Sequence, residues 1–198
     1  MLARRLYIVL AMIVVSTSAR AQHGGGTPGP SHTAPAEAAQ YNFLIGQWDL
    51  VVKPAAVGLA QKVHGTPKLV GTWKGWREFD GWGVEDELRI TDASGNAVGL
   101  SHAMRFYDAT AKKWRGVGLD VYRSVVTNSI AEMRGNTMVS NSSGRDADGK
   151  AYLSRARYAD ITADSFTFVQ ERSVDNGKTW NETLRIEARR TAALAPRN

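Results

Sequence analysis

Apolar and polar residues alternate along most of the chain, in short runs separated by turn residues. A period of two is typical of β-strands, because successive side chains point to opposite faces of a sheet. Glycine, asparagine and aspartate clusters between the runs, such as 92–96, predict tight hairpin turns. The pattern predicts nine or ten strands, over residues 46–53, 70–79, 83–91, 98–107, 113–122, 125–134, 136–142, 151–161, 165–174 and 179–190.

Short connections join these strands in up-and-down order, and only the loop over 54–67 is long. Such a sheet either exposes its edge strands or closes on itself. A two-sheet sandwich is the alternative, but it usually needs longer crossover connections. We therefore predict an all-β fold, a closed or nearly closed antiparallel meander β-barrel of 8–10 strands.

The barrel is predicted to begin at Gly46, with Trp48 as the first inward side chain. Residues 36–40 have helix-forming composition, and they predict a short N-terminal helix. The apolar residues Phe43, Leu44 and Ile45 follow it and are expected to cover one end of the barrel.

The first 21 residues have the pattern of a secretory signal peptide. Arg4 and Arg5 precede the apolar stretch 6–15, and Ala19-Arg20-Ala21 offers a cleavage site. A membrane anchor is the alternative, but ten apolar residues are too few to cross a bilayer of about 30 Å. We therefore expect an exported protein, periplasmic or secreted, without a membrane span after processing.

The rest of the chain divides by composition. Residues 22–35 are rich in glycine and proline and predict a disordered linker. Residues 36–192 form the predicted barrel domain, and 193–198 a loose tail. The chain has no cysteine, which excludes disulfides and a thiol nucleophile. Its net charge of +6 is scattered, without a basic run, so nucleic acid is not an expected partner.

The segment Phe43-Leu44-Ile45-Gly46-Gln47-Trp48-Asp49 resembles the opening of the bacterial calycin-like group called DUF1579, which is lipocalin-like. The resemblance continues through Arg105-Phe106-Tyr107-Asp108 with Trp114, and to Trp180 before a last strand that ends in arginine. It implies a calycin-type barrel with a central cavity and a typically uncharacterised function. It also implies that Trp48 packs against an arginine of the last strand, for which Arg185 and Arg189 are the candidates.

The segment Ser173-x-Asp175-x-Gly177-x-Thr179-Trp180 resembles the Asp-box, a motif that folds a hairpin. The resemblance implies that Asp175 accepts bonds from turn amides, that Gly177 takes a positive φ and that Trp180 packs beneath. The motif repeats in sialidase propellers, whereas this chain has one copy. A single copy predicts a stabilised hairpin rather than a glycosidase.

Within the predicted strand 98–107, the residues Leu100, His102, Met104 and Phe106 share one face. Because this face is the more apolar one, we expect it to line the interior. His102 is then the candidate general base or metal ligand, and its alternative is an ordinary lining residue. Asp86 is expected to point inward as well, where it would form an acid/base pair with His102 or pair with an inward arginine.

Other candidate lining residues are Trp73, Gln170 and Arg172. Gln170 and Arg172 share a face with Phe166 and Phe168, so an inward arginine there would bind a carboxylate or phosphate group. Arg155 and Arg157 alternate with smaller residues and are expected on the solvated outer face. No cofactor or metal site is expected, because a metal would need two or three further ligands beside His102 and only carboxylates are left to supply them. Haem is not expected either, because the similar nitrobindin barrels carry haem on a histidine near the C-terminus and no histidine follows His102 here.

Three functions stay open at this point. The first is a barrel that binds a small, partly apolar molecule in its central cavity. The second is an enzyme on the same barrel, an isomerase or hydrolase that uses His102 with Asp86. The third is an interaction module of the cell envelope whose interior is filled by its own side chains. The oligomeric state is not predicted.

Overall fold

The structure, a computed structural model, describes residues 32–56 and 63–193. The predicted signal peptide, residues 22–31 of the predicted linker and residues 194–198 of the tail lie outside the described residues. Before the first strand, two 3-10 turns occupy Ala36–Ala39 and Asn42–Leu44. The predicted short N-terminal helix is thus confirmed, with 3-10 geometry.

Ten strands follow, and all of them are antiparallel to their neighbours. They are β1 Gly46–Pro54, β2 Leu69–Glu78, β3 Gly83–Asp92, β4 Ala97–Asp108, β5 Lys113–Asp120, β6 Val125–Arg134, β7 Thr137–Arg145, β8 Ala151–Ala159, β9 Ser165–Ser173 and β10 Asn181–Ala192. Each strand pairs with the next in sequence, and β10 pairs with β1 to close the barrel. The predicted all-β meander barrel is confirmed. Closure leaves no strand of the barrel with an unpaired edge.

The inner and outer faces are separated by burial. In β1 the side chains of Trp48, Leu50 and Val52 are buried, whereas the alternating Asp49 and Val51 are exposed. Cross-strand pairs carry this alternation around the barrel, since paired residues share a face. Within the described residues, no helix is long and apolar enough to cross a lipid bilayer.

One end of the barrel is closed by aromatic and aliphatic side chains, and we call it the floor: Tyr41, Leu44, Trp48, Trp114 and Phe166. All five are at most 2% exposed. The indole Nε1 of Trp48 donates to the carbonyl of Leu44 at 3.0 Å, and its ring meets the Phe166 ring edge-on. The N-terminal turns are therefore the plug of the barrel, and the opposite end is its mouth.

The arginine that packs on Trp48 is Arg190, so Arg185 and Arg189 are wrong as the predicted partners. Its guanidinium carbon lies 4.0 Å from the centroid of the Trp48 ring. The register places Trp48 opposite Arg190, and a shift between Gln47 and Trp48 accompanies it. Arg189 pairs with the exposed Asp49, and Arg185 binds Glu182 on the outer surface.

Gly46 permits this close approach. Its φ is +126°, which a residue with a side chain rarely adopts. A Cβ at this position would overlap the Arg190 guanidinium. The corner before Trp48 therefore needs glycine for both conformation and space.

The Asp-box segment forms the β9–β10 turn at the mouth. The Asp175 carboxylate accepts from the Thr179 amide at 2.9 Å and from the Ser173 hydroxyl at 2.7 Å. Gly177 has φ +85°. The indole Nε1 of Trp180 donates to the carbonyl of Gly177 at 3.1 Å. These bonds hold the turn, and they lower the pKa of Asp175 to about 2, chiefly through its bonds with Thr179.

Candidate functional site

The inner surface of the barrel has two chemically different sides. Strands β10, β1, β2 and β3 contribute large apolar side chains, which pack into the core: Leu50, Val52, Leu69, Leu88, Ile90, Leu184 and Ile186. Strands β4 to β8 contribute alanine, glycine and small hydroxyl residues above the floor. A ligand inside would meet an apolar surface on one side and hydroxyl groups on the other.

We call the second side the hydroxyl wall: Ser101, Thr127, Ser129, Ser140, Ser142 and Ser154. The first five are partly exposed to solvent although the sheet closes around them, and Ser154 is 8% exposed. None of these six hydroxyls has a hydrogen bond to another residue in the part of the chain that the structure describes. Eight strands already enclose a space that large side chains just fill. Ten strands lined by small residues therefore leave room inside.

A buried ion pair lies between the floor and this space. The Arg105 guanidinium binds the Asp86 carboxylate through Nη1, and the two side chains are 12% and 4% exposed. The indole Nε1 of Trp73 donates to the other Asp86 oxygen at 2.7 Å. Arg105 also approaches the Tyr158 hydroxyl, at 3.4 Å from Nη2. A buried charge pair of this kind is retained only with such additional partners.

The surroundings shift the pKa values of this cluster. Burial raises the pKa of Tyr158 to about 12 and also raises that of Tyr41. Burial by itself acts to lower the pKa of Arg105, but the Asp86 carboxylate outweighs it and the pKa is raised. Arg105 is thus a permanent cation and both tyrosines are neutral. The Tyr41 hydroxyl is buried and has no hydrogen-bond partner among the described residues.

The face predicted to line the interior, Leu100 to Phe106, is the outer one, so this prediction is wrong. Met104 is 40% and Phe106 is 47% exposed. The inner face of β4 carries Ser101, Ala103, Arg105 and Tyr107 instead. The polar face of β4 points inward because the charge of Arg105 is neutralised by Asp86 on the neighbouring strand. Such a partner is not visible in the alternation of a single strand.

The predicted acid/base pair is not present. Asp86 points inward, but His102 lies on the outer face, where its Nε2 is 2.8 Å from Glu85 Oε1. The sheet separates the two side chains, so they cannot act on one substrate group. Among the described residues, no group of three histidine or acidic side chains is placed to hold a metal ion.

The remaining predicted lining residues are distributed as follows. Trp73 is buried in the interior, and Gln170 lies on the inner face of β9 next to Ala156. Arg172 lies at the mouth, with its guanidinium carbon 3.8 Å from the centroid of the Tyr152 ring. Their roles in ligand binding stay predictions.

Arg155 and Arg157 lie on the outer face, as expected. Both donate to Glu171 Oε2, at 2.9 and 3.0 Å, and Arg155 also covers the Trp180 ring. Burial acts to raise the pKa of Glu171, but the two arginines outweigh it and the pKa is lowered. This cluster fastens β8, β9 and the Asp-box turn on the outside.

Sequence reasoning missed Arg105, Tyr158 and the hydroxyl wall as features of the interior. The available signal was the pair Tyr107 and Trp114, two large aromatics on either side of a tight turn. In the structure these two residues are directly opposite each other and both are buried. An inward Tyr107 places Arg105 inside as well, because residues two positions apart on a strand share a face.

The outer surface carries a second feature, which we call the outer groove. It has a volume of about 850 Å³ and crosses strands β4 to β8. Its apolar lining consists of Phe79, Met104, Phe106, Val117, Ile130 and Leu153. A smaller cavity of about 520 Å³ adjoins it at the mouth and shares Ser143 and Leu153 with it. The apolar side chains of this groove lie on the outer face, but the inner-face residues Gly116, Ser129 and Ser142 also border it.

Comparison with known proteins gives a likeness in fold. No protein-family model matches the chain, and no curated protein matches it. The solved structure of the S-type phycobiliprotein lyase CpeS from Guillardia theta is similar, with a TM-score of 0.51 and 10% sequence identity. The match covers 78% of this chain and 92% of that protein. Together with the ten-strand closed barrel, this likeness shows a calycin-like fold.

Proposed function

We propose that the protein binds a small, partly apolar molecule inside the barrel. The observation that carries the proposal is the hydroxyl wall, whose small residues stay accessible to solvent within a closed sheet. Binding sites for small molecules are concave, mostly apolar, and have a few polar groups that fix orientation. The two-sided inner surface supplies both kinds of contact. The likeness to a phycobiliprotein lyase is consistent with a barrel that holds a small molecule.

Two neighbouring serines allow a direct test. Both serines border the outer groove, but Ser142 lies on the inner face in the hydroxyl wall, whereas Ser143 is exposed on the outer face. Phenylalanine at position 142 would fill part of the interior, and phenylalanine at position 143 would fill part of the groove. The probe is N-phenyl-1-naphthylamine, a neutral apolar dye that fluoresces when it is removed from water.

We expect the unaltered chain and Ser143→Phe to bind this dye alike, and Ser142→Phe to bind it at least about tenfold more weakly, since one lost contact of about 1.4 kcal/mol has that effect. Circular dichroism melts establish that both variants are folded. Loss of binding only in Ser143→Phe would refute the interior site. A chain that binds no apolar probe at all would refute the proposed function.

A second candidate function is favoured by the outer groove. Exposed large apolar side chains concentrate on the outer face of β4 to β6, and contiguous patches of this kind often mark interaction sites. The chain would then act as an interaction module of the cell envelope. Loss of dye binding in Ser143→Phe, with unchanged binding in Ser142→Phe, is the outcome that favours this candidate.

We also propose that the chain is exported, to the periplasm or outside the cell, because residues 1–21 have the signal-peptide pattern. The expected mature N-terminus is Gln22, which N-terminal sequencing of the native protein checks. Membership of the DUF1579 group is proposed as well, on the short motifs around Trp48 and Arg105. It rests on those residues alone.

A further inference from the structure

One row of directly paired inward residues crosses the barrel from β4 to β9, and we call it the polar row. Arg105 pairs with Gly116, Gly116 with Ser129, Ser129 with Ser142, Ser142 with Ser154, and Ser154 with Arg172. Three hydroxyls and a glycine thus lie between two arginines. The row runs from the vicinity of the floor, at Arg105, to the mouth, at Arg172.

The two arginines differ in whether a carboxylate neutralises their charge. Arg105 is neutralised by Asp86, as described above. Arg172 has no ion pair with a carboxylate in the described residues, and every aspartate and glutamate of the chain lies within them. Two further carboxylates end inward-facing rows at the mouth, but Asp92 accepts from its own turn and Asp120 binds Arg123. Arg172, which is exposed, is therefore a positive charge at the mouth without a carboxylate partner. Arg77 and Arg190 also lack a carboxylate partner, but they lie at the floor and donate to carbonyl and amide oxygens there.

The uncompensated guanidinium of Arg172 is held in place. It stacks on the Tyr152 ring at 3.8 Å, and that ring in turn lies against Gly144, where a Cβ would overlap it. A guanidinium over a ring keeps its N–H groups in its own plane, where they are available to bind an oxyanion with two parallel hydrogen bonds. The Ser154 hydroxyl is its cross-strand neighbour, and it is also without a protein partner among the described residues.

Apolar surface lies close to this charge. On β9 the next inward residue is Gln170, whose cross-strand partner is Leu184. Leu184 and Leu69 lie on the inner face near the mouth, are packed against the core and are partly exposed. A molecule with its charged end at Arg172 would therefore place its body against aliphatic side chains.

We propose that the ligand of the barrel is an anionic amphiphile, a molecule with a carboxylate or phosphate group on an apolar body. Its oxyanion binds Arg172 with the help of the Ser154 hydroxyl, and its apolar body fills the interior. This inference rests on the proposed function, because it assigns the charge of a ligand in the same interior. It makes Arg172 the residue that determines specificity for charge.

Two dyes that share one ring system test the charge. One is N-phenyl-1-naphthylamine, which is neutral, and the other is 8-anilinonaphthalene-1-sulfonate, which adds a sulfonate. We expect the full chain to bind the sulfonated dye more tightly. Arg172→Gln should weaken that dye roughly 10- to 100-fold, the range expected for lost hydrogen bonds to a charged group, and leave the neutral dye unchanged.

The matched control is Arg189→Gln, which removes an exposed arginine from the outer face of the adjacent strand. It should change the binding of neither dye. Dodecanoate and dodecyl phosphate, added as competitors, distinguish the two head groups, and dodecanol serves as the neutral competitor. Thermal melts of both variants establish that any loss of binding is not a loss of folding.

The outcomes separate this inference from the function that it rests on. Equal binding of both dyes by the unaltered chain and by Arg172→Gln would refute the anionic ligand and leave the interior site in place. Equal weakening by Arg172→Gln and Arg189→Gln would refute the role of Arg172, since only the general charge would matter. Binding of neither dye would refute the proposed function itself.

Discussion

Arg190 and Trp48 hold the first and last strands together at the floor of the barrel. The guanidinium lies on the indole ring at 4.0 Å, and its N–H groups bind three backbone carbonyls. Nη1 donates to Ile45 at 2.6 Å, Nη2 to Phe43 at 3.2 Å and Nε to Ala163 at 2.7 Å. One side chain thus joins β10 to the N-terminal plug and to the β8–β9 turn.

Arg190→Lys should lower the free energy of unfolding by about 2 kcal/mol, because an ammonium group cannot make the three divergent hydrogen bonds or stack as a plane. Arg189→Lys, one residue earlier and exposed, should change it by less than about 0.5 kcal/mol. Urea denaturation of the two variants gives the comparison. Equal effects at both positions would show that Arg190 has no special place at the floor.

The Arg105–Asp86 pair should be costly to break from either side. Arg105→Met and Asp86→Asn should each destabilise the barrel by about 3–5 kcal/mol, because each leaves a buried group without its partner. The double variant should lose clearly less than the sum, since no unpaired charge remains. A control is Arg115→Met, which breaks the exposed pair with Asp108 and should cost less than about 1 kcal/mol. Additive losses in the double variant would contradict a direct interaction.

Two methionines test which faces point inward. Met138 is completely buried and Met104 is 40% exposed. Met138→Ala should cost about 2–5 kcal/mol by leaving a cavity, whereas Met104→Ala should cost less than about 1 kcal/mol. Chemical denaturation measures both changes. A larger loss at Met104 would mean that β4 turns its other face to the interior.

The Asp-box turn should make stability depend on acid. The pKa of Asp175 is lowered to about 2 by hydrogen bonds from Thr179 and Ser173, below the value of about 3.9 in an unfolded chain. Its contribution is therefore complete above about pH 4 and is lost as the pH falls toward 2. Asp175→Asn should be less stable than the unaltered chain at neutral pH, and the difference should shrink over this range. A difference that is constant from pH 7 to pH 2 would contradict the assignment.

The strands and their order could be predicted from sequence because hairpin barrels are specified locally. Alternation and turn residues mark each strand, and sequential pairing follows from short connections. Which face of a strand points inward is also readable where one face is clearly apolar, as in β1 with Trp48, Leu50 and Val52.

The same rule fails in β4 because its inner face is the more polar one. Arg105 is tolerated inside only because Asp86 and Tyr158 receive it, and these lie on different strands. The hydroxyl wall misleads in the same direction, since serine and glycine occupy inner-face positions of β5 to β8. An alternation rule assumes that the inner face is apolar, and it therefore misassigns strands whose inner face is polar.

The partner of Trp48 could not be read from sequence for a different reason. Its choice depends on the register between β1 and β10, which is irregular after Gln47. Such a register is set by tertiary packing, not by any local turn. Alternation along β10 favours Arg190 over Arg185 and Arg189 as the partner of Trp48. Ile186 and Ala188 are buried, and Arg190 lies on the same face of the strand.

The pairing of β1 with β10 also determines the order in which the molecule can assemble. Nine of the ten strand pairings are between neighbours in sequence, so their hairpins can form early and independently. The last pairing joins residues up to 145 positions apart, from Gln47 to Ala192, and it has the largest loop-closure entropy cost of the fold. Until β10 pairs with β1, the sheet has two unpaired strand edges, and unpaired edges are sites at which chains aggregate.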